Sequence, residues 1–75
     1  MKRVGEVVRT AQQLAVVRAP DDDYPGFGTS VVDENLAEIG RVVDVFGPVE
    51  RPYLAVSPAD GVQLPTLLGA VLYAR

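Results

Sequence analysis

The chain has 75 residues, 48% of them hydrophobic, a formal net charge of −3, and neither cysteine nor histidine. A chain this short buries only about 60% of its unfolded surface on folding, so it forms one small domain, marginal on its own. The composition excludes disulfides, nearly all zinc chemistry and any histidine or cysteine base or nucleophile, leaving barrel closure, association or high salt as support.

The acidic balance argues against general nucleic-acid binding, which needs lysine and arginine opposite phosphates. Lys2 is the lone lysine. A salt-loving host and GC-rich codon usage both account for this bias. Lys2 and Arg3 lead into a strand rather than a signal peptide, and no apolar run reaches the ~20 residues that cross a bilayer. The expectation is a soluble, cytoplasmic protein with no membrane contact.

In chain order, short β-branched runs are broken by Gly, Pro and Asp about every ten residues, the spacing of an all-β barrel or sandwich. Val4–Thr10 is the first predicted strand, with Val4 and Val8 on one face and Arg3 and Arg9 on the other. Leu14–Arg18 follows a turn near Ala11–Gln13. Ala19–Gly28 is a loop by composition. Ser30–Val32, Ile39–Phe46, Tyr53–Val56 and Gly69–Tyr73 are the remaining strands. Asp33-Glu34-Asn35 forms a turn, and Val62–Leu68 is the one place for a helical turn.

The fourth strand fails the test for a sheet with one wet face. Ile39, Arg41, Val43 and Val45 alternate with Gly40, Val42, Asp44 and Phe46, so neither face is polar. Tyr53–Val56 and Val71–Tyr73 behave similarly. Outward apolar residues mark an interaction patch; coverage by loops and termini of the same chain is the alternative.

Other motifs carry less. Asp21-Asp22-Asp23 lacks the alternation, glycine and distant glutamate of a calcium loop, and reads as a solvated tip. Gly26-Phe27-Gly28 lacks the lysine and helix of a phosphate loop. Ser30, Ser57 and the threonines have no evident base. Asp44, alone in an apolar strand, is either satisfied structurally, by backbone N–H groups or an arginine such as Arg41, or placed at an interface. No catalytic residue, metal site or cofactor is expected.

Gly47–Tyr53 has a firmer logic. Pro48 and Pro52 cannot donate to a ladder, and Pro52 holds Arg51 extended. The segment is therefore a stiff display of Val49, Arg51 and Tyr53, in which Arg and Tyr are typical interface anchors, or a rigid corner between strands, or both.

The string Ile39-Gly40-x-Val42-x-Asp44-Val45-Phe46-Gly47-Pro48-Val49-x-x-Pro52-Tyr53, with Val31-Val32-Asp33 and Leu36 before it and Val4-Gly5 in the opening strand, closely resembles the Gar-type subunit of H/ACA small ribonucleoproteins. The resemblance is strongest over Gly28–Val56 and looser beyond. It implies a six-stranded antiparallel β-barrel of the reductase/translation-factor type over residues 1–75, with no catalytic activity. Its implied partner is the dyskerin-type pseudouridine synthase of the particle. Docking would use Val45, Phe46, Gly47, Pro48, Val49, Arg51, Pro52 and Tyr53, and would favour guide-directed pseudouridylation of ribosomal RNA through a mobile thumb loop. Guide RNA would be met only indirectly. The Gly/Arg-rich tails of eukaryotic members do not occur in this sequence, which fits the archaeal version. Two rivals stand beside this reading: a free-standing RNA-binding barrel of the translation-factor type, and a homodimer of the isolated chain through the same patch.

Overall fold

The computed structural model describes residues 2–75. Valine-rich runs punctuated by turn residues give strands β1 (Lys2–Ala11), β2 (Leu14–Arg18), β3 (Ser30–Val32), β4 (Glu38–Phe46), β5 (Tyr53–Pro58) and β6 (Val71–Ala74), with one 3-10 turn at Leu64–Leu67. All neighbours are antiparallel, and the strands close into a barrel in the order β1-β2-β5-β4-β3-β6. This is the expected all-β class, and the helical turn falls inside the predicted Val62–Leu68 window. Among the described residues no helix is long and apolar enough to cross a membrane.

Closure turns one face of each strand inward. Val4, Val17, Leu54, Val56 and Leu72 fill the interior, and Leu67 of the 3-10 turn joins them. The β3–β6 seam is short, pairing Val31 with Ala74 and Val32 with Tyr73. An Arg75 N–H bond to the Ser30 carbonyl extends it by one rung. At β1 and β2, Gln12 and Gln13 both take positive φ, the two-residue hairpin turn that matches strand twist. The Asp33 carboxylate accepts the N–H groups of Asn35 and Ala37 at 2.8 and 3.0 Å, which builds the β3–β4 turn.

Bulges decide which side chains enter the core. The extra residue of a bulge shifts the two-residue alternation by one. In β1 the register slips between Arg3 and Gly5 against β6, and between Val7 and Arg9 against β2. Val4 and Val7 therefore both point inward, while Val8 is 43% exposed. The expected pairing of Val4 with Val8 on one face is thus corrected. In β4 two slips act. One against β3, which leaves Ile39 as the extra residue between Glu38 and Gly40, lets Ile39 and Val42 both enter the core. One against β5, between Val42 and Asp44, packs Val45 against it. Arg41, Val43, Asp44 and Phe46 face out. The apparent lack of a polar face in β4 is largely this change of phase, and Val43 and Phe46 are what remains outside.

Gly40 marks a close approach of strands. A Cβ built on it lies 2.0 Å from the Ser57 carbonyl oxygen, which is backbone and cannot step aside. Gly40→Ala is expected to cost at least about 2 kcal/mol and to lower Tm by roughly 10 °C or more at about 4–8 °C per kcal/mol. Thermal unfolding by circular dichroism measures this, and an unchanged Tm contradicts the packing described here.

Candidate interaction groove

The connection between β4 and β5 begins with a constraint. Gly47 has φ +92°, and a Cβ there would stand 2.9 Å from the Tyr53 ring, so only glycine turns the chain here. Pro48 then opens a turn closed by the Arg51 N–H bond to the Pro48 carbonyl at 3.3 Å. Val49 occupies the tip of that turn and is 83% exposed. A β-branched apolar side chain held at a turn tip contributes nothing to the core of this domain.

The rest of the segment is fastened inward. The Pro52 carbonyl accepts the Ala19 N–H at 3.0 Å, and Arg51 Nε donates to the Ala19 carbonyl at 3.0 Å. Arg51 was expected to be displayed outward. The residue is exposed, but its Nε clasps the connection to the end of β2.

Tyr53 is half-buried in a row that crosses three strands. Register places Phe46, Tyr53 and Arg18 side by side on the outer face of β4, β5 and β2. The Phe46 and Tyr53 rings stack with centroids 5.7 Å apart at 22°, and the Arg18 guanidinium carbon lies 5.2 Å from the Tyr53 centroid. Arg18 Nε is buried without a hydrogen-bond partner among the described residues, so the guanidinium acts here through its flat face. Beside this row, Val16 and Ala55 form the floor of an open hollow of about 270 Å³, with Arg9 and Asp44 at its rim.

A second, larger groove of about 310 Å³ brings most of the named segment together. Val45, Phe46, Gly47, Pro48, Val49 and Pro52 line one side of it, and Asp22 and Tyr24 the other. Arg51 and Tyr53 lie outside its lining. Sequence reasoning gave the Ala19–Gly28 loop no role, yet this loop supplies the second wall. The available signal was Tyr24-Pro25, an aromatic and a proline inside an acidic run. The loop is held at both ends, by Ala19 to Pro52 and by the Gly28 N–H to the Val42 carbonyl at 2.7 Å. Between them, the Asp23 N–H donates to Asp21 Oδ1 at 2.8 Å, and Lys2 Nζ forms an ion pair with Asp23. Asp44 is used locally, its carboxylate accepting the Val45 N–H at 2.8 Å. Asp44 thus meets a backbone N–H, as the structural reading expected, and not Arg41.

Known proteins share this fold. The sequence profile of the family described as "Gar1/Naf1 RNA binding region" matches residues 1–74. The chain belongs to that family. Among individual relatives, the H/ACA ribonucleoprotein complex subunit GAR1 of Chaetomium globosum is 25% identical over 60 residues, which cover 80% of this chain and 29% of the fungal protein. An uncharacterized protein of Methanothermobacter thermautotrophicus is 27% identical over 62 residues, covering 83% of this chain and 66% of that protein. This chain thus spans less than a third of the fungal relative. In three dimensions, the Gar1 domain of NAf1 superposes with a TM-score of 0.73 at 16% identity, covering 99% of this chain and 81% of the other, a likeness of fold.

The stacked row has a measurable energy. Aromatic pairs contribute roughly 0.5–1.5 kcal/mol beyond their area. A double-mutant cycle with Phe46→Leu and Tyr53→Leu, read by urea unfolding, is expected to give a coupling of about 1 kcal/mol. Additive losses contradict a working stack.

Proposed function

We propose that this chain is a non-catalytic subunit of an archaeal H/ACA ribonucleoprotein that docks on the dyskerin-type pseudouridine synthase. The observation that carries this reading is membership of the Gar1/Naf1 family over residues 1–74, joined to relatives named as H/ACA subunits. The geometry of Phe46–Tyr53 supports it. Val49 is presented on a turn fixed by Gly47 and Pro48, so little entropy remains to be lost when a partner covers it. In this reading Val45, Phe46, Gly47, Pro48, Val49, Arg51, Pro52 and Tyr53 form or hold the docking segment. Val49 makes the contact, Gly47, Pro48, Arg51 and Pro52 fix its position, and Phe46 and Tyr53 form the adjoining flat surface.

The bound subunit favours guide-directed pseudouridylation of ribosomal RNA by biasing the thumb loop of the synthase. It does so only by binding the open and closed thumb with different affinity. Substrate loading and product release are the steps that respond, so multiple-turnover rates are expected to rise on adding the chain while the single-turnover rate changes less. Equal rates with and without it in both regimes overturn the thumb role.

A second reading, direct RNA contact, draws on the family's description and on the Arg18-Tyr53-Phe46 row, since bases stack on aromatic and guanidinium faces. The net charge of −3 opposes it. Guide RNA alone is expected to pass this chain unretarded in a gel, and a salt-sensitive shift favours the second reading.

Val49→Ala removes the equivalent of about two methylenes, roughly 1.5 kcal/mol of burial, so affinity for the synthase is expected to fall about tenfold. Leu36→Ala, in the turn at the far end of β4, is expected to leave it unchanged. Titration calorimetry compares the two. Equal affinities for both variants place the contact elsewhere.

A further inference from the structure

The hydrogen-bonding phase of the barrel leaves one strand edge open beside the groove. In an antiparallel pair, successive residues turn their N–H and C=O groups to opposite neighbours. The Ala19 N–H bond to the Pro52 carbonyl shows that Pro52 faces β2. Leu54 and Val56 face the same way, so Tyr53 and Ala55 bond to β4. Val45, opposite Leu54, therefore turns its backbone polar groups away from β5. On that outer edge Gly40 pairs with Val31 of β3, and Val42 bonds to Gly28 and Thr29. Past Val42 no strand follows among the described residues, and the Val45 N–H is met by the Asp44 carboxylate. An acidic side chain on an exposed edge is a known guard against unwanted strand pairing.

The groove lies along this edge. Its walls are apolar (Val45, Phe46, Pro48, Pro52), Asp22 lies across from them, and among the described residues no lysine or arginine lines it. Asp44 lines the neighbouring hollow rather than this groove, but its carboxylate sits at the Val45 amide on the strand edge and carries a second negative charge.

We propose that this groove receives a short extended segment of the partner protein, which adds to the edge of β4 as a strand rung at Val45. This inference rests on the docking reading above and names how the contact is made. The occupant it calls for alternates an apolar side chain, facing Val45 and Pro48, with a lysine or arginine that reaches Asp22 and Asp44. Main-chain bonds supply affinity in such additions, and side-chain pockets supply selectivity. The incoming carbonyl takes the Val45 N–H, and the Asp44 carboxylate, displaced from it, turns to the incoming cation. The Ala19–Gly28 loop, held at both ends and tied to Lys2 in between, forms the outer wall.

The test uses the isotope-labelled chain bound to unlabelled pseudouridine synthase, with amide exchange followed by NMR. Exchange at Val45 is expected to slow at least tenfold on complex formation. Asp22→Lys, an exposed loop change, is expected to weaken the complex at least tenfold while leaving the spectrum of the free chain folded. A complex that forms with Val45 exchange unaltered overturns the strand rung and leaves the docking reading intact. An unaltered affinity in Asp22→Lys overturns the cationic occupant. Absence of any complex with the unmodified chain overturns this inference together with the docking reading.

Discussion

The extra residue that β4 carries between Val42 and Asp44 sets the phase of everything that follows it. Without that slip Val45 would point to solvent, and Asp44 and Phe46 would point into a core with no partner for a carboxylate. With it, Val45 packs inward, Phe46 meets Tyr53 on the outside, and Asp44 reaches the Val45 amide. The bulge also sharpens local twist. The connection that follows leaves the barrel at an angle that Gly47 completes with its positive φ. The inward Val45, the stacked row and the groove share this cause.

A second consequence concerns stability. Among the described residues, sixteen apolar ones with no buried polar partner make a thin core for a domain of this size. The chain compensates by closing the sheet, which removes most of the unpaired edge that a small open sheet would expose. Closure still leaves two stretches paired on one side only, the end of β4 and the end of β1 beyond Val7. The exposed valine, the prolines and the acidic loop gather at the β4 end. The residues with least work to do in the core stand beside an edge whose backbone groups no strand meets. An interaction surface there costs the fold little.

Much of this was legible in the sequence, and the failures have physical reasons. Strand positions follow from β-branched runs and from Gly, Pro and Asp, which punctuate locally, so Leu14–Arg18 and Ser30–Val32 fall where composition puts them. The β4–β5 connection was readable because proline and glycine act on their own backbone. Alternation was misleading because a bulge is set by the partner strand; nothing in Val7-Val8 says which valine is the inserted one. The Ala19–Gly28 wall was missed for a similar reason. Its place beside Val45 depends on bonds from Ala19 to Pro52 and from Gly28 to Val42, contacts that no local pattern encodes. Arg51 was recognised as special, but its clasp on the Ala19 carbonyl follows from the fold.

The central claim is that this barrel is a docking subunit for a pseudouridine synthase. Multi-angle light scattering of the purified chain, mixed with an equimolar amount of that synthase without RNA, tests it most directly. The account predicts a single species with the mass of one synthase and one copy of this chain. Two separate peaks, with this chain eluting at its own mass or as a dimer, would contradict it.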